Sequence, residues 1–236
     1  YIYPKEFENK FSEKFIYLPN IWSNFTVTKS ENITKPEFRE INDSIVFGCF
    51  VTLRKINNNV ITLWSKVLKK FPSTKLYFIA PEFHDISTQN DLKTKFANNE
   101  IKSERLILEK STNYESYLKS YSKIDITLDP FPWNGVTTSF ESIWMGCPVF
   151  CLEGNTVHSR CAYSINKNLK MSEWIAKNED DYLKKLEVIL SNKKNLLLIK
   201  KNLRLNAIKC DLFNSEKFCK NLADKLNDTW KDFAIE

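Results

Sequence analysis

The chain has 236 residues, 42% of them hydrophobic and 27% charged, with a net charge of +6 from 35 Lys and Arg against 29 Asp and Glu. That length is enough for a large domain with a buried core, and neither a signal-peptide pattern nor an apolar run near the ~18 residues of a membrane span is present. Only five of the basic residues are Arg, and the lysines are mixed with acids, as in "KNEDDYLKKLE"; this disfavours a nucleic-acid reader and suits a small anionic ligand.

The chain starts at Tyr1 rather than Met, so we expect a piece of something longer. Residues 1–40 hold an aromatic-rich stretch, "FSEKFIYLPNIW", and a polar one, "TVTKSENITKPEFRE". They read as the tail of a preceding domain and a linker, with one domain over 41–236. From residue 44 short apolar runs alternate with amphipathic segments. "SIVFGCF" (44–50), "KLYFIA" (75–80), "RLILE" (105–109), "DITLD" (125–129) and "PVFCL" (148–152) predict five strands. Between them Val60, Leu63, Trp64, Val67, Leu68 and Phe71 have helical spacing, stopped by Pro72. Further helices are predicted near 88–99, over "YESYLKSYS" and from Thr138 to Gly146, and the last sixty residues read as helical, with Leu222, Leu226, Trp230 and Phe233 on one stripe. The alternation predicts an α/β fold, a Rossmann-like doubly wound parallel sheet with C-terminal helices.

Six cysteines, at 49, 147, 151, 161, 210 and 219, show no C-x-x-C pair, and the chain has two histidines. A zinc or His-rich metal site is therefore not expected, and the thiols read as free, mostly buried and kept in a reducing, cytoplasmic setting.

The candidate site is "DPFPWNGVTTSFE" (129–141). Of only four glycines, at 48, 135, 146 and 154, three fall within twenty residues here. In open parallel sheets ligands bind where a strand leads into a helix. Asn134-Gly135 reads as a turn pair able to take positive φ. Thr137 and Thr138 place hydroxyls and unpaired amides at a helix start, which attracts phosphate. A second reading stays open, because Thr138 with Glu141 matches a T-x-x-E capping box that needs no ligand. Gly146 ahead of Pro148 fits a helix C-cap. Asp125 and Asp129, which flank a strand, read as structural turn residues.

The stretch "DITLDPFPWNGVTTSFESIWMGCPVFCLEGNTVHSRCAYSI" resembles the catalytic region of the O-GlcNAc transferase family. "FSEKFIYLP", "FGCFVTLRKINNNVITLWSKVLKKFPSTKLYF", "EWIAKNEDDYLKKL" and "LFNSEKF" resemble other parts of it in the same order. The resemblance implies the C-terminal domain of a GT-B glycosyltransferase that holds a nucleotide-sugar, usually UDP-GlcNAc, with no metal or other cofactor. It implies that Lys55 meets the donor diphosphate, that Thr137 and Thr138 cradle the same phosphates, and that Glu141 takes the ribose hydroxyls. Asn134, Gly135 and His158 fall in the same region, and Arg160 is expected to pair with a carboxylate.

Three positions depart from the family. Thr52 stands for a glutamine that contacts the donor phosphates, Val136 for a histidine of animal members, and Tyr117 for another histidine; an aromatic at 117 can still stack on a base. The implied partners are the sugar donor, a protein acceptor modified on Ser/Thr, and the N-terminal catalytic half with tetratricopeptide repeats in a parent chain, with no nucleic acid or membrane. The lysine-rich usage fits an AT-rich bacterial genome. Without the other wall of its cleft the chain alone is expected to bind nucleotide weakly and to transfer no sugar. The alternative is a degenerate half-domain that binds a nucleotide or a protein without catalysis.

Overall fold

A computed structural model of the chain describes residues 2–26, 35–41, 44–110 and 113–235; residues 27–34 of the expected linker lie outside the described residues. Six strands, Val46–Cys49 (β1), Lys75–Ala80 (β2), Leu106–Lys110 (β3), Ile126–Leu128 (β4), Val149–Leu152 (β5) and Ile175–Ala176 (β6), form a parallel sheet in the order β3-β2-β1-β4-β5-β6. The first five answer to the five expected runs. β6 is two residues long, too short to leave a pattern in the sequence.

The helices are Asn58–Lys70 (α1), Ile86–Ala97 (α2), Tyr114–Lys119 (α3), Thr137–Trp144 (α4), Cys161–Asn168 (α5), Glu179–Ser191 (α6), Lys193–Lys209 (α7) and Ser215–Ile235 (α8). α1 shows how local chemistry sets an element. The Asn57 side chain accepts the Val60 amide at its start, and Val60, Leu63, Trp64 and Val67 are wholly buried on one face. Burial of each such side chain is worth about 1.5–3 kcal/mol. Along β2, Leu76, Phe78 and Ala80 enter the main core, while Tyr77 and Ile79 join Phe50, Leu118 and Tyr121 in a smaller cluster on the other face. That alternation is the two-residue period of a strand covered on both sides.

The chain order reverses between β1 and β4, which pair through Phe47–Ile126 and Gly48–Thr127. Loops leaving the carboxyl ends of those two strands splay to opposite sides and leave a crevice. At the amino end of β4 lies a buried ionic cluster instead. Arg39 Nη1 is 2.7 Å from Asp125 Oδ2, which also accepts the Val46 amide at 2.9 Å. Lys200 of α7, 1% exposed, sits 3.5 Å from Asp125 Oδ1 and donates to the Ile124 carbonyl at 2.6 Å.

The N-terminal segment joins the domain through side-chain amides. Asn20 donates to Asp211 Oδ2 at 2.7 Å, Asn24 donates to the Leu212 carbonyl at 3.0 Å, and Phe25 stacks on Phe140 of α4. The expected stripe on α8 does not enter the core: Leu226, Trp230 and Phe233 are 51%, 67% and 68% exposed. No helix among the described residues is long and apolar enough to cross a membrane.

Candidate functional site

The crevice at the β1–β4 switch is a cleft of about 580 Å³ lined by residues that follow both strands, among them Thr52, Arg54, Lys55, Trp133, Thr137, Thr138 and Glu141. After β1 the chain makes a 3-10 turn over Leu53–Lys55, held by Glu82 Oε1 accepting the Leu53 amide at 3.3 Å. After β4 the loop 129–136 crosses to α4. Asn57 ties it down by donating to the Phe131 carbonyl at 2.7 Å.

Lys55 joins the two loops. Its Nζ donates to the Asn134 carbonyl at 2.7 Å and lies 5.1 Å from the centre of the Trp133 ring, over which the Arg54 guanidinium also sits at 5.5 Å. An ammonium has three donors, so one bond to Asn134 leaves it able to meet a ligand. Burial lowers the Lys55 pKa and the nearby Asp129 opposes that shift.

Asn134 is fully buried and does not line the cleft. Its side chain donates to the Pro130 carbonyl at 2.9 Å and its amide to the His158 carbonyl at 3.0 Å, so it serves as the keystone of the loop. Gly135 donates its amide to Asp129 Oδ1 at 2.7 Å. It does not adopt the positive φ expected of the Asn-Gly pair; Gly146, with φ 71°, does, as a C-cap should. The reason for glycine at 135 is crowding. A Cβ there would lie 2.3 Å from Thr138 Oγ1 and 3.1 Å from Asp129 Oδ1.

α4 starts at Thr137 with Val136 as its N-cap, and no side chain among the described residues caps it. The capping box proposed for Thr138 and Glu141 is therefore not formed, because Thr138 lies inside the first turn. The amides of Thr137 and Thr138 have no carbonyl one turn back to receive them, and both residues line the cleft. Glu141 turns away from the backbone instead: Tyr114 donates to its Oε1 at 2.9 Å and Tyr117 to its Oε2 at 2.8 Å. Burial raises the Glu141 pKa, and the two phenols oppose it. The Tyr117 phenol is pushed well up, by burial first and by Glu141 second.

The cleft thus gathers Thr52, Lys55, Tyr117, Thr137, Thr138 and Glu141, with Asn134 and Gly135 shaping it from beneath. Thr52 Oγ1 is buried and has no partner among the described residues. His158 is not brought in: its exposed ring lies 3.2 Å from Thr156 Oγ1, and only its backbone carbonyl reaches the loop. Sequence reasoning passed over Arg54, Trp133 and Tyr114. The first two flank Lys55 and Asn134, so a tryptophan inside a Pro-Asn-Gly loop was a readable signal, whereas nothing local marks Tyr114 as a partner of Glu141. A larger groove, about 820 Å³, runs past Tyr3, Glu153 and Arg160. In it Arg160 is committed to Glu153 at 2.8 Å and stacks 3.8 Å over Tyr163, so the smaller cleft is the better seat for an anion.

The model of glycosyl transferase family 41 matches residues 22–222. Among curated relatives, a probable UDP-N-acetylglucosamine–peptide N-acetylglucosaminyltransferase SPINDLY of Solanum lycopersicum is 25% identical over 98% of this chain and 25% of its own length. A UDP-N-acetylglucosamine–peptide N-acetylglucosaminyltransferase of Caenorhabditis elegans is 21% identical over 85% of this chain and 17% of its own. Among solved structures, a mutant O-GlcNAc transferase of Thermobaculum terrenum superposes with a TM-score of 0.89 at 26% identity, covering 98% of this chain and 44% of that one. The chain spans about a quarter of the length of the SPINDLY relatives it matches.

Proposed function

This chain belongs to glycosyl transferase family 41, and from that premise we propose that it is the donor-binding part of a GT-B glycosyltransferase that moves GlcNAc from UDP-GlcNAc to Ser/Thr hydroxyls of proteins. The observation that carries the reading is the meeting of Lys55 with the uncapped start of α4 across one cleft. A cation and two unpaired amides directed at one place suit a diphosphate.

In the reaction the acceptor oxygen attacks the anomeric carbon and the bond from that carbon to the phosphate oxygen breaks. Negative charge grows on the departing UDP. Lys55, with the α4 amides, meets that charge, which is the contribution a preorganised anion seat makes to a transition state. We read the site as metal-independent on this ground. The base for the acceptor and the opposite cleft wall belong to a preceding catalytic half, so the chain alone binds UDP and transfers no sugar. The matched relatives' peptide acceptors and the free thiols support a protein acceptor and a reducing, cytoplasmic setting.

Calorimetry with UDP tests the assignment. Lys55→Ala should weaken UDP binding by tenfold or more while the melting temperature stays within a few degrees, and chelator should leave the affinity of the unaltered chain unchanged. Equal UDP affinity in the Lys55→Ala variant would refute the role of this lysine. A second reading, nucleotide binding without transfer, draws on Glu141, whose two oxygens are both occupied by tyrosines. Transfer to a peptide by the full-length parent excludes it.

A further inference from the structure

Asp129 ends β4 at the floor of the cleft and is 2% exposed. Its Oδ1 accepts the Gly135 amide, and its Oδ2 has no hydrogen-bond partner among the described residues. Neither Lys55 nor any other described cation forms an ion pair with it, since the Lys55 ammonium is placed on the Asn134 carbonyl instead. A carboxylate taken out of water without an ion pair and with half its acceptor sites unmet is unfavourable, and protonation removes the cost. Five titratable groups face it: Lys55 from the turn after β1, Cys49 from β1, Cys151 from β5, Cys161 from α5 and Tyr182 from α6. Burial holds the three thiols and the phenol above their ordinary values, so these are neutral near pH 8 and Lys55 is the basic member of the set.

We propose that Asp129 is a positioning residue for the diphosphate: its carboxyl group, keeping a proton, fixes the loop 130–136 through the Gly135 amide and leaves the charge of Lys55 to the ligand. The inference rests on the nucleotide reading of the cleft. An ionised Asp129 would set a negative charge beside the seat and offset Lys55, whereas a neutral carboxyl still accepts the Gly135 amide. Burial pushes the Asp129 carboxyl up to about 8, against the opposing pull of the Gly135 amide, Lys55 and the Ser139 hydroxyl. Binding of an anion favours the protonated form further, so affinity falls as pH rises through that value. The fall amounts to about tenfold between pH 7 and pH 9 for a group of this kind that stays protonated in the complex.

The test uses UDP as probe, whose terminal phosphate, with a last pKa of about 6, is about nine-tenths ionised at pH 7 and so changes little above it. UDP affinity is measured from pH 7 to pH 9 on the unaltered chain, Asp129→Asn and Asp129→Ala, each checked by thermal melt. With four glycines in the chain, 15N-glycine labelling yields few enough amide signals to follow Gly135 directly. We expect the unaltered chain to lose affinity about tenfold over this range, with the Gly135 signal titrating at a midpoint of about 8. Asp129→Asn should match its pH 7 affinity and stay flat to pH 9, with no titration at Gly135. Asp129→Ala, which releases the loop, should lose tenfold or more at every pH. A pH decline that persists in Asp129→Asn would assign the titration to Lys55 and overturn the proposal. So would a folded Asp129→Asn that loses tenfold at pH 7, because the charge would then be needed. Both of those results leave the nucleotide reading standing, whereas no UDP binding by the unaltered chain at any pH would sink the two together.

Discussion

Two aspartates close the ends of the same three-residue strand, and both are buried, Asp125 at 0% and Asp129 at 2% exposure. Asp125, at the amino end, is gripped by Arg39, Lys200 and the Val46 amide. Asp129, at the carboxyl end, has the Gly135 amide and, among the described residues, no ion pair. Equal burial therefore produces opposite chemistry. At one end two cations and an amide compensate a carboxylate and clamp the chain before β1, α7 and the sheet together. At the other, the lack of an ion pair leaves a titratable group under the loop that leads into α4. Ligands in such sheets approach from the carboxyl ends of strands, and the under-compensated aspartate is the one on that side.

The comparison breaks most visibly at the clamp. Removing one partner of a buried ion pair leaves the others uncompensated and costs about 3–5 kcal/mol. Asp125→Ala should therefore lower the melting temperature by roughly 10 °C or more, at about 2–4 °C per kcal/mol for a chain of this size. UDP affinity of the folded fraction should stay unchanged, since none of the clamp residues lines the cleft. A melting temperature within 2 °C of the parent would show that the clamp is structurally idle.

Asp129 should respond with the opposite sign. Its folded-state pKa is about 8 against an ordinary 3.8, so between those values the folded chain holds a proton that the unfolded chain has released. Folding stability from this group is then present below pH 4, declines as pH rises, and stops declining above about 8. Asp129→Asn keeps the acceptor for Gly135 and removes the titration. It should stabilise the chain at pH 8 by roughly 5 kcal/mol, the free energy of the gap between 3.8 and about 8, and leave stability at pH 4 nearly unchanged. Denaturant unfolding at the two pH values measures the difference, and a variant destabilised at pH 8 would contradict the assignment.

The two ends also differ in how far they could be read in advance. The sheet and α1 were readable because apolar period and helix stops are local signals. So was the loop into α4, whose Gly135, Thr137 and Thr138 are close in sequence and lie at or under the cleft. The sequence could not decide between a capped and an uncapped start of α4, since T-x-x-E fits both; only the position of Val136 as N-cap and the turn of Glu141 toward α3 separate them. The clamp joins residues 39, 125 and 200, too far apart for any spacing rule. Both aspartates read alike as turn residues, because burial and ion pairing are properties of the assembled sheet. The stripe on α8 has core-like spacing yet stays exposed, so periodicity told which residues share a face and not what covers it.

The smallest expected effect concerns the other carboxylate of the cleft. Glu141 is 5% exposed, while Tyr114, which donates to its Oε1, is 43% exposed and lines the cleft. A ribose hydroxyl seeking Glu141 must share that oxygen with the phenol or displace it. Tyr114→Phe removes the competitor but keeps the ring and its stack on Tyr117, 6.1 Å between centres at 19°. One hydrogen bond of this kind is worth about 0.5–1.5 kcal/mol net, so UDP should bind roughly two- to tenfold more tightly to the variant. Inorganic pyrophosphate, which carries no ribose, should bind it and the parent alike. A gain with both ligands would place the effect in the phosphate seat, and a loss of UDP affinity would make Tyr114 itself the ribose contact.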